Sequence, residues 1–384
     1  MMEIYLVGGA VRDEVLGLPI KEKDWCVVGS SVTELTSMGY KSVGKSFPVF
    51  LHPKTKEEYA LARTEKKTQP GYHGFKFNTS KNITLAEDLK RRDLTINAMA
   101  KDEHGSIIDP YDGLSDIKNK TLRHVSNAFN EDPVRVLRTA KFAARYHKLG
   151  FKVAENTIRF MASMVENKEI DELAPDRIWK ETEEVLNNPT PYIYFKILEE
   201  CNALAKVYPG LIINYDALKL SEQSTNQAEV HFVVMIFADY DLCDQDYSQE
   251  NHCNVVQNLF ERLPLPNIYS ELANLIIYYK YYKNLLDSDA DRILTFLNKT
   301  DAFRRKERFK KLLKAFEIIE KNHALSKKEH QEKSLFVNQI TESCDEIPIR
   351  EIVCKETNGE KIKKIIYQKK IAIINYQIAK RIPR

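Results

Sequence analysis

Near the start of the chain, Gly8-Gly9-Ala10-Val11-Arg12-Asp13 is followed closely by Glu22-Lys23-Asp24. Two glycines between a short apolar run and a helical one let the backbone approach a phosphate, and the first turn of the helix aims N–H groups at it. In an extended strand, residues two apart share a face, so Glu22 and Asp24 are expected to project together. Two carboxylates so placed can hold one or two Mg²⁺ ions, which take triphosphate oxygens as further ligands and activate a hydroxyl nucleophile. Each feature alone has a plainer reading: a Gly-Gly is usually a turn, and an acidic pair in a charged loop is usually solvated surface. Together, in this order and at this spacing, they point to metal-assisted phosphate chemistry.

The elements that must position these groups are mixed at first. Apolar runs at residues 4–7, 25–28, 47–51 and 58–62 predict strands, and residues 10–16 and 89–100 predict helix. The polar stretch 64–81, with Pro70, Gly71 and Gly74, predicts a loop or a β-hairpin. From about residue 131 the character becomes helical. Residues 134–146 carry a stripe of Val134, Leu137, Ala140 or Phe142, and Ala144 at helical spacing. Further helices are predicted at 157–165, 175–186, 191–201, 230–237, 255–263, 268–286, 290–297, 304–320 and 360–380. No fixed-period repeat is apparent, which argues against a solenoid. The fold class is therefore α+β, a head with a mixed sheet followed by an all-helical remainder.

Composition narrows the class of protein further. A chain of 384 residues with 43% hydrophobic content can bury the cores of two or three compact units. A formal net charge of +3 does not by itself announce a nucleic-acid partner. The six cysteines, at 26, 201, 243, 253, 344 and 354, include no C-x-x-C pair, against both a structural zinc site and a secreted disulfide framework. The first residues lack the basic start and apolar core of a signal peptide. The longest apolar run, 232–238, is far short of the roughly 20 residues that span a bilayer. A soluble, cytoplasmic protein with no membrane partner is expected.

Further motifs follow in order. They are Arg91-Arg92-Asp93-Leu94-Thr95-Ile96-Asn97-Ala98, Ile108-Asp109-Pro110-Tyr111-Asp112-Gly113 with Leu122-Arg123, Glu131-Asp132-Pro133-Val134-Arg135-Val136-Leu137-Arg138, and Arg177-Ile178-Trp179-Lys180-Glu181. With the Gly-Gly and the paired carboxylate, these resemble the class II tRNA nucleotidyltransferases, the CCA-adding enzymes of the DNA polymerase β-like superfamily, especially their bacterial forms. The resemblance is close over residues 1–200 and faint beyond. It implies a polymerase β-like catalytic head over 1–125 and a helical neck over 126–205 for base selection and RNA binding. It also implies a helical body and tail over 206–384, with a degenerate phosphohydrolase-like region and tRNA contacts. The implied activity is template-independent addition of CCA to the 3′ end of tRNA from CTP and ATP, with Mg²⁺ as cofactor and pyrophosphate released. No stable protein partner is implied.

The same resemblance implies Glu22 and Asp24 as metal ligands and Glu58 as a third carboxylate beside them. Gly9 and Arg12 would contact the nucleotide phosphates, and Arg92, Arg138 and Lys141 the triphosphate. Guanidinium suits phosphate because its donors are planar and always charged. Asp132 and Arg135 would form a protein template. Cytosine and adenine both present an amino donor beside a ring-nitrogen acceptor, so a carboxylate facing one and a guanidinium facing the other accept both bases and refuse uracil. Plainer readings stand beside two of these. Glu58, next to Glu57, also reads as a solvent-facing strand residue. Asp132, ahead of Pro133, also reads as a helix N-cap, a role compatible with base reading through its second oxygen.

The chain departs from the family pattern in places. Glu22 stands where the family usually has Asp, keeping the charge with one more methylene, and activity is expected to persist. Lys141 stands where Arg is usual, turning a bidentate phosphate contact into a point charge. Residues 355–384 carry nine Lys/Arg against two Glu, with an isoleucine stripe, either a helix that tracks the tRNA backbone or a solvated face. A bacterial poly(A) polymerase shares head and neck motifs, but the short basic end favours tRNA. The loop 69–83 argues against a CC-only enzyme, while an A-only enzyme remains the alternative of that kind. Asp24, Arg92, Asp132 and Arg135 argue against a non-catalytic tRNA-binding protein.

Many bacterial relatives hydrolyse 2′,3′-cyclic phosphodiesters through a His-Asp metal site in the C-terminal domain. No His-Asp dipeptide occurs in this chain, and Phe237-Ala238-Asp239 stands where one is expected. After residue 200 the histidines are His231, His252, His323 and His330. Such chemistry needs roughly three or four converging N or O ligands. No hydrolysis of 2′,3′-cyclic AMP is therefore expected with added Ni²⁺, Mn²⁺ or Mg²⁺. Metal-stimulated hydrolysis that disappears in Asp239→Ala would reveal a working site.

Overall fold

In the computed structural model, which describes residues 2–43, 49–67, 75–237, 257–322 and 327–381, the head is built outward from one strand pair. β1 (Glu3–Val7) lies antiparallel to β2 (Asp24–Val28), with Val7 opposite Asp24. A turn at Gly8 leads from β1 into α1 (Gly9–Val15). α2 (Val32–Ser37) opens with a reciprocal capping box between Ser31 and Glu34 and returns the chain to β3 (Lys41–Ser42) and β4 (Val49–Leu51). β5 (Glu58–Leu61) then adds parallel to β2, placing Glu58 opposite Asp24. β6 (Thr64–Lys67) and β7 (Phe75–Asn78) form a separate antiparallel pair, the hairpin alternative for the polar stretch; residues 68–74 lie outside the described residues. α3 (Leu85–Lys90), β8 (Ala100–Lys101), β9 (Ile107–Ile108) and α4 (Gly113–Lys118) follow, and the sheet order is β3-β4-β5-β2-β1-β8-β9.

Alternation along the strands divides two cores. Val7, Cys26 and Ala100 pack with Leu89 of α3, whereas Val27, Tyr59 and Leu61 pack with Leu35, Tyr40 and Phe50. Two expectations change here. Glu22 precedes β2 instead of lying in it: Asp24 already faces the last residue of β1 and the first of β5, so no strand remains for residue 22 to pair with. The carboxylate that shares Asp24's position across the sheet is Glu58. The helix expected over 89–100 is instead the end of α3, a 3₁₀ turn at Thr95–Asn97, and β8. Asp93 breaks it: its Oδ1 accepts from the Leu94 N–H at 2.8 Å and the Asn97 amide at 2.9 Å, a local alternative to helical bonding.

The chain divides into two compact units, Met1–Pro209 and Gly210–Arg384. The first also holds α5 (Val134–Tyr146), α6 (Glu155–Glu166), α7 (Pro175–Leu186), α8 (Pro191–Glu200) and α9 (Leu204–Val207). α5 and α7 begin and end where the helical periodicity places them. Phe142, Ala143 and Tyr146 of α5 join Leu6, Val11, Leu94 and Ile96 in one core, so neck and head are packed as a single body. Arg138 of α5 adds an ion pair to Asp93, Nε to Oδ2 at 2.8 Å.

The second unit carries only helices among its described residues. They are α10 (Tyr215–Ser224), α11 (Ala228–Phe237), α12 (Asn267–Leu275), α13 (Tyr279–Lys283), α14 (Ala290–Lys299), α15 (Lys306–Asn322), α16 (Lys327–Asp345), α17 (Ile349–Lys355) and α18 (Gly359–Arg381). Residues 257–262, within the helix expected at 255–263, are also helical. The long helix expected at 268–286 is broken by a 3₁₀ turn at Ile276–Tyr278. α10 and α16 were not expected. α10 buries Ser221 with Ala217 and Leu218. α16 buries Lys333 and His330 against Glu320, at 2.8 and 3.0 Å, so a period count of apolar residues passes over it. His231 is packed: it is buried, and its Nδ1 lies 2.7 Å from Ser221 Oγ. Among the described residues no group of three or more His, Cys, Asp or Glu converges as a metal site. Asp239, His252 and His323 lie outside the described residues.

Burial alone would raise the Asp93 carboxyl, but Arg138, the Asn97 amide and the Leu94 N–H outweigh it and hold the group well below the usual carboxylate range. A depressed native pKa contributes stability that is complete above the unfolded-state value of about 3.8 and is lost as pH falls towards the native one. Asp93→Asn should therefore lose about 2–4 kcal/mol at neutral pH. It should also show a shallower fall in stability below about pH 4 than the parent. Urea titrations at neutral and acid pH check this; equal acid sensitivity in both proteins would remove the role given to Asp93.

Candidate active site

A cavity of about 1590 Å³ lies in the first unit, bounded by the starts of β2 and β5, the turn into α1, the segment after α3, and residues of α5 and α7. Asp24 and Glu58, opposite each other in register, both line it. Burial raises the Asp24 carboxyl, Arg92 pulls it down, and the charge of Glu22 pushes it up again. Glu22 is exposed just ahead of the strand and is not among the lining residues, so it reaches Asp24 through its field.

The glycine signal belongs chiefly to Gly8. Its φ is 69°, and a Cβ there would stand 2.6 Å from Arg92 Nη1. At Gly9 a Cβ would meet Arg12 Nη2 at 3.4 Å, close to ordinary contact. Arg92, brought against this turn, reaches Asp88 Oδ2 at 3.3 Å and the Asn97 carbonyl at 3.4 Å. Its Nε is buried with no hydrogen-bond partner. Asp88 is fully buried and also receives Arg91 at 2.7 Å, while Glu65 joins Arg91 and Arg63 at 2.8 and 2.7 Å. This network, which no sequence motif announced as functional, fixes the backbone from which Arg92 projects.

Arg12 is more a frame than a reaching arm. It is 3% exposed; Nε and Nη2 lie 2.9 and 2.8 Å from Asp13 Oδ1, and Nη1 lies 2.5 Å from Asn97 Oδ1. The rings of Phe142 and Tyr146 stand 5.1 and 5.3 Å from its guanidinium carbon. On α5, Arg138, Lys141 and Arg145 follow at steps of three and four and all line the cavity. Lys141 lies 2.6 Å from both Glu181 and Glu184 of α7, and Arg145 lies 3.3 Å from Asp13. Arg145 escaped the motif reading, although its spacing from Arg138 and Lys141 was the available signal.

Asp132 and Arg135 line the same cavity where α5 begins. Asp132 Oδ1 accepts the Val134 N–H at 3.1 Å, the helix-end contact that its place before Pro133 suggested. Both its oxygens also meet Arg177 of α7, Nη1–Oδ1 at 3.0 Å and Nη2–Oδ2 at 2.9 Å. Arg135 is buried and donates to the Ala128 carbonyl. The motif reading placed Arg177 only in a neck segment; the structure brings it to Asp132.

The donor set fits a hard divalent cation. Mg²⁺ is ordinarily held by one or two carboxylates, completed by substrate phosphates and water. Asp24, with Glu58 beside it and the field of Glu22 on it, provides oxygen ligands whose mutual repulsion a cation relieves. The remainder of the cavity offers arginines to an anion and one carboxylate–guanidinium pair to a planar edge.

Residues 4–123 match the Poly A polymerase head domain, and residues 150–213 match the probable RNA and SrmB- binding site of polymerase A. The chain is 41% identical to a CCA-adding enzyme of Coxiella burnetii, covering 98% of this chain and 96% of that one. It is 37% identical to a multifunctional CCA protein of Haemophilus influenzae, covering 97% and 98%. The same fold is found in a solved CCA-adding enzyme with ATP, at a TM-score of 0.69, 18% identity and coverage of 98% and 88%. A tRNA nucleotidyltransferase solved with a primer tRNA and an ATP analogue gives 0.65, 21% identity and coverage of 89% and 96%. With relatives this similar along nearly its whole length, the chain belongs to the family of CCA-adding enzymes.

Proposed function

We propose that this protein adds CCA to the 3′ end of tRNA, taking CTP and ATP and releasing pyrophosphate. One observation carries the reading: a single cavity joins the Asp24–Glu58 register pair, the arginine surroundings of Gly8, and the Asp132–Arg135 pair. Residues 1–125 act as the catalytic head, 126–205 as the base-selecting neck, and 206–384 as the part that meets the tRNA body. The reaction takes place in the cytoplasm; no described helix is long and apolar enough to cross a membrane.

Asp24 and Glu58 would hold Mg²⁺, and Glu22, just ahead of the strand, would add its negative charge. When bound, the ion supplies positive charge at the attacking and leaving oxygens of phosphoryl transfer. Arg92 and the turn at Gly8 and Gly9 line the cavity where the triphosphate would lie. Arg12 frames that approach from below Phe142 and Tyr146. Arg138 and Lys141 take phosphate oxygens by exchanging them for Asp93, Glu181 and Glu184. Asp132 accepts the amino group of cytosine or adenine and Arg135 donates to the neighbouring ring nitrogen; uracil would set like against like at both atoms.

Incubation with tRNA lacking CCA and each labelled nucleotide, singly and in mixtures, is the direct test. Cytidines should be added from CTP alone, adenosine should follow only on those ends, and UTP and GTP should be refused. Long adenosine runs from ATP alone would indicate a poly(A) polymerase. Asp24→Ala should lower the rate by orders of magnitude while tRNA affinity stays nearly unchanged; near-normal turnover would sink the metal assignment. Arg135→Ala should erode discrimination of UTP against CTP by about 1–3 kcal/mol.

A further inference from the structure

We propose that Arg177 sets base selectivity by fixing which lone pair of Asp132 is offered to the incoming nucleotide. The inference rests on the base-reading role given to Asp132 and Arg135. An ionised carboxylate has about four lone-pair positions. The Arg177 fork takes one on each oxygen, at 3.0 and 2.9 Å, and the Val134 N–H takes the second on Oδ1 at 3.1 Å. One position remains, on Oδ2. It can accept a single N–H, and its direction is set by the plane of the Arg177 guanidinium, because a fork fixes orientation where a point charge does not.

Arg177 thus acts through Asp132 and is a positioning residue. It projects from α7 while Asp132 stands at the start of α5, so the contact also ties the reading edge to a second helix of the neck. Without the fork, Asp132 keeps only the Val134 contact and can turn about its side-chain torsions. Three acceptor positions open, over a range of directions. A loosened carboxylate can then accept the ring N–H of uracil or the ring and amino N–H groups of guanine, which the fixed one refuses. The amino group of cytosine remains a good partner in either state. The loss of Arg177 should therefore cost fidelity more than speed.

The test compares UTP and GTP with CTP on tRNA lacking CCA, measured as kcat/KM ratios for the parent, Arg177→Ala, Arg177→Lys and Thr182→Val. Thr182 belongs to the same helix and hydrogen-bonds Tyr208, away from Asp132, so its variant reports what mere loosening of α7 does. Both Arg177 variants should raise relative misincorporation about tenfold or more. The lysine should fail to rescue, since it keeps the charge and loses the fork. CTP turnover should fall much less than fidelity, and Thr182→Val should keep parental selectivity at comparable thermal stability. Parental selectivity in folded Arg177→Ala, full rescue by lysine, or equal loss in Thr182→Val would each overturn the proposal. Asp132→Asn separates this from the underlying reading. If that variant also keeps parental selectivity, Asp132 does not read the base; if it loses selectivity while the Arg177 variants keep it, only the role of Arg177 falls.

Discussion

The Asp93 carboxylate is the constraint from which the site is hung. It is buried, ends α3 by bonding Leu94 and Asn97, and reaches Arg138 on α5. Asn97 in turn holds Arg12, Arg12 holds Asp13, and Asp13 receives Arg145 and the Tyr146 hydroxyl, again on α5. The circuit closes on the same helix two turns from where it began. Two anchors two turns apart fix the rotation of α5 about its axis as well as its distance, so the cationic face of that helix is aimed at the cavity that Asp24 and Glu58 line, by groups that are themselves satisfied.

Arg92, Arg138, Lys141 and Arg177 are each held by carboxylates. Isolated cations here would spread into solvent and repel one another. Pairing keeps their donors in place, and much of the cost of aligning charge is met on folding instead of at the moment of reaction. In the proposed reaction a triphosphate would enter by exchange of one anion for another. This arrangement favours ligands that carry several oxygens at once, because each exchange alone gains little.

Much of this was legible in the sequence wherever a residue's type carried its own geometry. The α5 and α7 boundaries follow from apolar period, Asp132 before Pro133 from capping chemistry, and the strand after Asp24 from its run of apolar residues. What escaped depended on partners distant along the chain. Glu58 was placed beside Asp24 by the family resemblance alone, because the parallel pairing of β2 with β5 that brings them together is encoded in no local pattern. The break after Lys90 escaped because the competing Asp93 contacts are visible only in three dimensions. Buried ion pairs hid α16 for the same reason: a period count assumes that charge lies outside, and Lys333 with Glu320 lies inside.

The strand pairing at β1 and β2 has one more consequence, for how the molecule fails. Side chains on a strand alternate faces, so a slip of one residue in the pairing of Val7 with Asp24 would carry Asp24 to the far side of the sheet, away from Glu58. The same slip would turn Cys26 out of its core and Val27 out of the other. A misfolded head of this kind therefore cannot stay folded with only its cavity disturbed, since the fault that misplaces Asp24 also dissolves both cores. Molecules with this defect would leave the folded population altogether instead of persisting in it with one carboxylate displaced.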